Sequence, residues 1–141
     1  MDAEHIAPCG MNCALCQAFQ GKGIVCPGCG ENVTRTSCRK CSIRLCGQKT
    51  RFCFTCSQYP CARLKRLDKR YRLKYGMSML DNLNLLKEQG MEALLAQQRA
   101  AHTCPGCAGP EPCIKVRACI AAAHRTPECF RGSFLYKNGP L

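Results

Sequence analysis

Residues 9 to 16 read CGMNCALC, and the chemistry of the chain begins there. Cysteine thiolates are soft sulfur donors. Cys9, Cys13 and Cys16, spaced Cx3Cx2C, therefore offer three of the four ligands that a zinc ion or an iron–sulfur cluster takes. Thirteen more cysteines follow. Cys26 and Cys29 stand in CPGC, Cys38, Cys41 and Cys46 in CRKCSIRLC, and Cys53, Cys56 and Cys61 in CFTCSQYPC. A last set comprises Cys104, Cys107, Cys113, Cys119 and Cys129. Several Cx2C pairs within about 50 residues are a strong sign of metal ligation.

The spacing carries its own logic. In the two CPGC loops Pro27 and Pro105 fix φ and lack an N–H, while Gly28 and Gly106 can take positive φ. Each loop can thus wrap an ion and aim backbone N–H groups at the thiolates. The third and fourth groups share Cx2Cx4C at an offset of 15 residues, which predicts two knuckles built alike. A sequential partition gives Cys26, Cys29, Cys38 and Cys41 to one ion and Cys46, Cys53, Cys56 and Cys61 to another. A cross-braced partition joins Cys38 and Cys41 to Cys53 and Cys56, leaving Cys46 and Cys61 for Cys26 and Cys29. The repeat slightly favours the second, and both stay open. Asn12 can cap a short helix reaching about residue 19, which would set Cys13 and Cys16 one turn apart on one face. The fourth ligand of the trio would then be His5, Cys129, a shared cysteine or a bound molecule.

The rest of the chain must position these groups. Hydrophobic residues make up 46% of the 141, but 16 of them are cysteines and none is tryptophan, so the apolar core is thin and a staple is expected. The N-terminus lacks the apolar run of a signal peptide and no stretch is long enough for a membrane span, which predicts a cytoplasmic protein that makes no membrane contact. In reducing cytosol metal ligation is expected over a disulfide framework. After Pro60 the run ARLKRLDKRYRLKY predicts a helix that ends at Gly76 and turns Leu64, Leu67, Tyr71 and Tyr75 inward. Ser78 and Asp81 form a capping box for a second helix, with Met79, Leu80, Leu83 and Leu86 buried and Gly90 as its stop. A third helix is expected from residue 91 to about residue 101.

The expected organisation is a multi-knuckle metal-binding region (1–61), a basic helical segment (62–101), a C-terminal cysteine knuckle (102–129) and a tail (130–141). The fold class is a small metal-stabilised protein, mainly α with irregular zinc knuckles and little β, its short helices connecting two cysteine-rich regions.

Charge points in another direction. The formal balance is +12, and between residues 38 and 75 twelve basic residues face Asp68 alone. Nucleic acid is the usual partner of such a stretch. Each four-cysteine zinc site, however, carries two net negative charges, so about three sites would bring the balance to about +6. Arg39, Lys40, Arg44, Lys49 and Arg51 can serve that compensation. Arg63, Lys65, Arg66, Lys69, Arg70, Arg72 and Lys74 on the predicted helix have no such role, and they are candidate contacts to nucleic acid or an acidic partner.

Taken together, CGMNCALCQAF, CPGC, CRKCSIRLC, FCFTCSQYPC with its basic helix, and KYGMSMLDNL resemble the family catalogued as domain of unknown function 3795, over about residues 8 to 95. The resemblance implies a small cysteine-rich protein that binds zinc and has no assigned activity. It also implies a C-terminal knuckle from Cys104, Cys107, Cys113 and Cys119. Ala122 stands where a further cysteine would be expected, which leaves Cys129 or His124 as accessory ligands.

The function expected is therefore a zinc-binding, non-catalytic binding or adaptor module with an unknown protein partner and about three to four zinc ions. The alternative is an iron–sulfur protein in electron transfer or metal and sulfur handling. A third reading is a nucleic-acid-binding zinc protein. Radical chemistry at the trio is disfavoured because no βα alternation follows Cys16.

Overall fold

The computed structural model describes residues 1–16, 18–19, 26–30, 33–47 and 50–102. The chain divides into a compact unit over residues 1–101 and a second unit over residues 102–141. The expected knuckle at Cys104, Cys107, Cys113 and Cys119, its accessory ligands His124 and Cys129, and the tail lie outside the described residues.

The first unit is mainly helical with little strand. Its helices are α1 (Thr36–Arg39), α2 (Ser42–Gly47), α3 (Ala62–Tyr75) and α4 (Met79–His102), with single 3-10 turns at Ala3–His5, Cys13–Leu15 and Cys53–Thr55. Among the described residues the one β contact is an isolated antiparallel bridge between Ile6 and Asn12. Among the described residues no helix is long and apolar enough to cross a membrane.

Local chemistry sets the long helices. Cys61 is the N-cap of α3, and Gly76 ends it in the left-handed region at φ 64, where a residue without a Cβ is under no strain. Leu64 is buried and Tyr71 and Tyr75 are half-buried, as the spacing predicts. In α4 the Ser78 hydroxyl accepts the Asp81 N–H at 3.0 Å, which is one half of the capping box. Met79, Leu83 and Leu86 are buried but Leu80 is only half-buried. The predicted second and third helices run on through a kink at Gly90 (φ 86, ψ −179), a backbone region open essentially to glycine alone.

The repeat does not produce like structures. Cys38 lies in α1 and Cys46 in α2, whereas Cys53 opens a 3-10 turn and Cys61 caps α3. The expected helix after Asn12 is likewise a single 3-10 turn, and Cys16 is already extended at φ −80, ψ 133. Asn12 does cap it, accepting the Ala14 N–H at 3.0 Å, but the Pro8 to Gly10 stretch and α4 shape this loop more than helix propensity does.

α4 is the bench on which the N-terminal loop rests. Asn82 donates its side-chain amide to the Gly10 carbonyl at 2.9 Å, and the buried Asn12 donates to Gln98 Oε1 at 2.8 Å. Ile6 joins Leu86, Leu94 and Leu95 in one buried cluster, against which Phe52 and Phe54 pack. A smaller cluster of Ala18, Cys26 and Val33 lies under the CPGC loop, with Cys16 and Cys38 packed on it.

Asp68 ties α3 to the start of α4. Its carboxylate accepts from the Leu80 N–H (3.0 Å), the Ser78 hydroxyl (2.9 Å) and the Arg72 guanidinium (2.7 Å). Burial disfavours the charged form, but these donors outweigh it and hold the carboxyl below its ordinary pKa of 3.8. A carboxyl depressed on folding stabilises the folded state fully above its unfolded pKa, and the contribution fades as pH falls through the lower folded value. The difference in unfolding free energy between wild type and Asp68→Asn should be constant above about pH 5 and shrink below about pH 4. Urea titrations across that range check it, and a difference that grew on acidification would contradict it.

Candidate metal centre

A cleft of about 230 Å³ opens between α2, the turn at residues 53 to 55 and the first turns of α3. Cys46, Cys53, Cys56 and Cys61 all line it, together with Tyr59 and the side chains of Arg63 and Arg66. Each cysteine arrives for a local reason. Cys46 ends α2, and Cys53 and Cys56 bracket the 3-10 turn, the Cys56 N–H closing on the Cys53 carbonyl at 3.1 Å. The Thr55 hydroxyl holds that turn with 2.8 Å contacts to the Thr50 and Phe52 carbonyls. Cys61 sits at the α3 N-terminus as its N-cap residue.

A second group gathers around the CPGC loop. Cys13 and Cys29 are hydrogen-bonded to each other. Gly28, at φ +105, lies so close that a Cβ there would stand 3.7 Å from Cys13 Cβ. The loop turns backbone toward sulfur as its composition predicts. Burial works against the Cys26 thiolate, but hydrogen bonds from the backbone of Gly28, Thr34 and Arg35 and from the Thr34 hydroxyl hold its pKa below the usual thiol range. Arg44, 8% exposed, spans the group's floor by donating to the carbonyls of Cys38, Gly30 and Arg39.

Cys9 stands between the groups. The Cys53 N–H bonds to the Pro8 carbonyl at 2.9 Å, which pins the trio's loop against the fourth cysteine group. Burial pushes the Cys9 thiol up to about 12; the Met11 backbone opposes this, and the neighbouring Cys29, Cys53 and Cys41 add to it. Burial, then Cys61, Cys46, Cys56 and Cys41, push Cys53 up to about 11. Burial also raises Cys38, with Cys29, Cys16 and Cys26 contributing.

The sulfurs of Cys9, Cys13 and Cys16 do not all lie within 4.8 Å of one another. Cys13 meets Cys29, Cys16 neighbours Cys38, and Cys9 looks toward Cys29, Cys41 and Cys53. The cleft brings together the four cysteines of the sequential partition's second site. Cys38 neighbours Cys29, Cys16 and Cys26, while Cys41 neighbours Cys53 and Cys9.

The donor set fits a soft metal ion. The eleven described cysteines are all free thiols, and clustered thiols resist ionisation together unless a cation joins them. In this conformation no three cysteine sulfurs among the described residues lie within 4.8 Å of one another. Sulfurs around tetrahedral zinc stand about 3.8 Å apart, so a bound zinc would have to draw them inward. His5 is not with the trio: it lies 3.6 Å from Asp2 and 3.9 Å from Glu4, and its ring packs edge-on against Phe19.

The basic residues divide by partner. Arg72 is tied to Asp68 and Asp81, and Lys74 lies 5.5 Å from the Tyr75 ring centroid. Arg63, Lys65, Arg66, Lys69 and Arg70 are exposed. Sequence reasoning missed Tyr71 as a site residue. Burial first, then Cys9 and Cys16, push its hydroxyl up to about 12. It faces the cysteines from the inward stripe of α3, and the helical period alone marks that stripe as core. The Gln98 partnership with Asn12, 86 residues away, leaves no signal in a single sequence.

Fold and cysteine placement together define a small, mainly helical, cysteine-rich protein. Residues 5–66 match the family model described as "Protein of unknown function (DUF3795)", and this segment of the chain is similar to that family. The match takes in the first four cysteine groups and the first turn of α3, so the KYGMSMLDNL segment lies beyond it. No curated protein and no solved structure matches the chain.

Proposed function

We propose that this is a zinc-binding, non-catalytic module whose metal ions hold residues 9–61 in shape for a protein partner. The observation that carries the reading is the convergence of Cys46, Cys53, Cys56 and Cys61 on one cleft with Arg63 and Arg66 at its edge. Four thiolates and one zinc leave two net negative charges, which two guanidiniums are placed to offset. A second ion would draw its ligands from Cys13, Cys16, Cys26, Cys29 and Cys38. A site closed by four cysteines has no position left for substrate, so the ion contributes folding energy and not catalysis.

Tyr71 and Arg44 support the same reading from the protein side. Arg44 fixes three carbonyls of the loops that carry Cys29 and Cys38, and such supporting bonds orient ligands. The test is metal analysis of anaerobically purified full-length protein. The expected result is a colourless preparation with about three to four zinc ions per chain. A brown preparation containing iron and labile sulfide would replace the reading with an iron–sulfur one.

A further inference from the structure

Between residues 33 and 75 eleven of the described lysines and arginines are exposed, namely Arg35, Arg39, Lys40, Arg51, Arg63, Lys65, Arg66, Lys69, Arg70, Arg72 and Lys74, of which Arg72 is paired with Asp68 and Asp81. The one described carboxylate in that stretch is Asp68, which is buried and already bonded to Arg72. The exposed positive charge of that stretch is met by this single described acid, which is spent on Arg72. Its densest part is the outer face of α3. At 100° per residue, Arg66, Lys69 and Arg70 stand on the arc opposite Leu64 and Asp68, flanked by Arg63 and Lys65.

From this face we infer that α3 binds the phosphodiester backbone of nucleic acid, without reading its sequence. The inference is independent of which metal the cysteines hold. Seven cations lie along a 14-residue helix that spans about 21 Å; Arg72 is held by Asp68 and Asp81 and Arg63 and Arg66 border the cysteine cleft, and Lys65, Lys69 and Arg70 on the outer face are the electrostatic footprint that phosphate recognition leaves. Two competing occupants fit less well. An anionic membrane surface takes up a basic helix through its apolar face, and the apolar face of α3, with Leu64 and Tyr71, is turned into the fold. An acidic protein is held mainly by buried aromatic and aliphatic anchors, with lysine depleted; on the outer face of α3 the one large apolar side chain is Leu73, 79% exposed. Phosphate contacts need neither anchor nor apolar face.

The test is fluorescence anisotropy of full-length, metal-loaded protein with a short labelled DNA duplex and a short labelled single-stranded RNA, between about 50 and about 200 mM salt. Binding to one or both is expected, with log affinity falling linearly against log salt by about 0.9 per phosphate contacted on duplex and about 0.7 on single strands. The variant Lys65→Gln/Lys69→Gln/Arg70→Gln touches no cleft residue and should leave the circular dichroism spectrum and metal content unchanged. On duplex it should flatten the slope by about 2 to 3 and weaken binding at the lower salt at least about ten-fold. No binding to either probe at low salt, an unchanged slope in the variant, or equal retention by polyglutamate would overturn the inference, the last in favour of an acidic protein partner.

Discussion

Chelating the metal from full-length protein should collapse the near-ultraviolet circular dichroism signal while leaving part of the far-ultraviolet helical signal. The reason lies in where apolar burial is and is not. Among the described residues between 19 and 63 the buried hydrophobic side chains are Cys26, Val33 and Ile43. Two aliphatic residues cannot offset the ordering of that much backbone, at about 1 to 2 kcal/mol per residue. A structural zinc site supplies apparent folding energy of about 10 to 16 kcal/mol, as much as whole domains retain. By contrast α3 and α4 carry Leu64, Met79, Leu83, Leu86, Leu94 and Leu95, all buried, with Met77 buried between the two helices, so part of their helix should outlast the metal. Spectra unchanged after complete metal removal would contradict this.

Gly10→Ala should destabilise the metal-loaded protein by about 2 to 4 kcal/mol. Gly10 sits at φ +83, and a Cβ there would lie 2.8 Å from the Met79 carbonyl oxygen and 2.9 Å from Leu83 Cγ. Left-handed strain and overpacking therefore act together. Trimming Leu83 to alanine should not restore the loss, because the nearer obstacle is backbone. The bond from Asn82 to the Gly10 carbonyl would also be displaced. Urea unfolding with metal in excess measures the effect, and a change below about 0.5 kcal/mol would mean that the loop is free to leave α4.

Much of this was legible in the sequence, for identifiable reasons. Gly76 ends α3 and Gly90 kinks α4 because backbone conformations at positive φ select glycine, and both positions have it. Leu64, Met79, Leu83 and Leu86 recur at helical spacing and are buried. CPGC foretold backbone bonds to the Cys26 sulfur. The repeat misled, because a spacing of cysteines fixes which residues can reach an ion and not the backbone path between them: Cys38 to Cys46 runs through two helices, Cys53 to Cys61 through a 3-10 turn and a loop. Leu80 misled for a related reason, being recruited by its backbone N–H to Asp68 at the start of α4. The fate of the trio was illegible, since it depends on Pro8 meeting Cys53 and on Asn12 meeting Gln98 across the fold.

The most direct test of the cysteine cleft is alkylation of the metal-loaded protein under anaerobic conditions, with each modified cysteine located by mass spectrometry. Cys46 is exposed, so in the absence of ligation it should react as fast as a surface thiol. If the four cysteines hold one ion, Cys46 is protected together with Cys53, Cys56 and Cys61, and all four become reactive together when the ion is chelated. Rapid labelling of Cys46 or Cys61 in the metal-loaded protein would contradict the assignment, and release of Cys53 and Cys56 together with Cys38 and Cys41, apart from Cys46 and Cys61, would restore the cross-braced pairing.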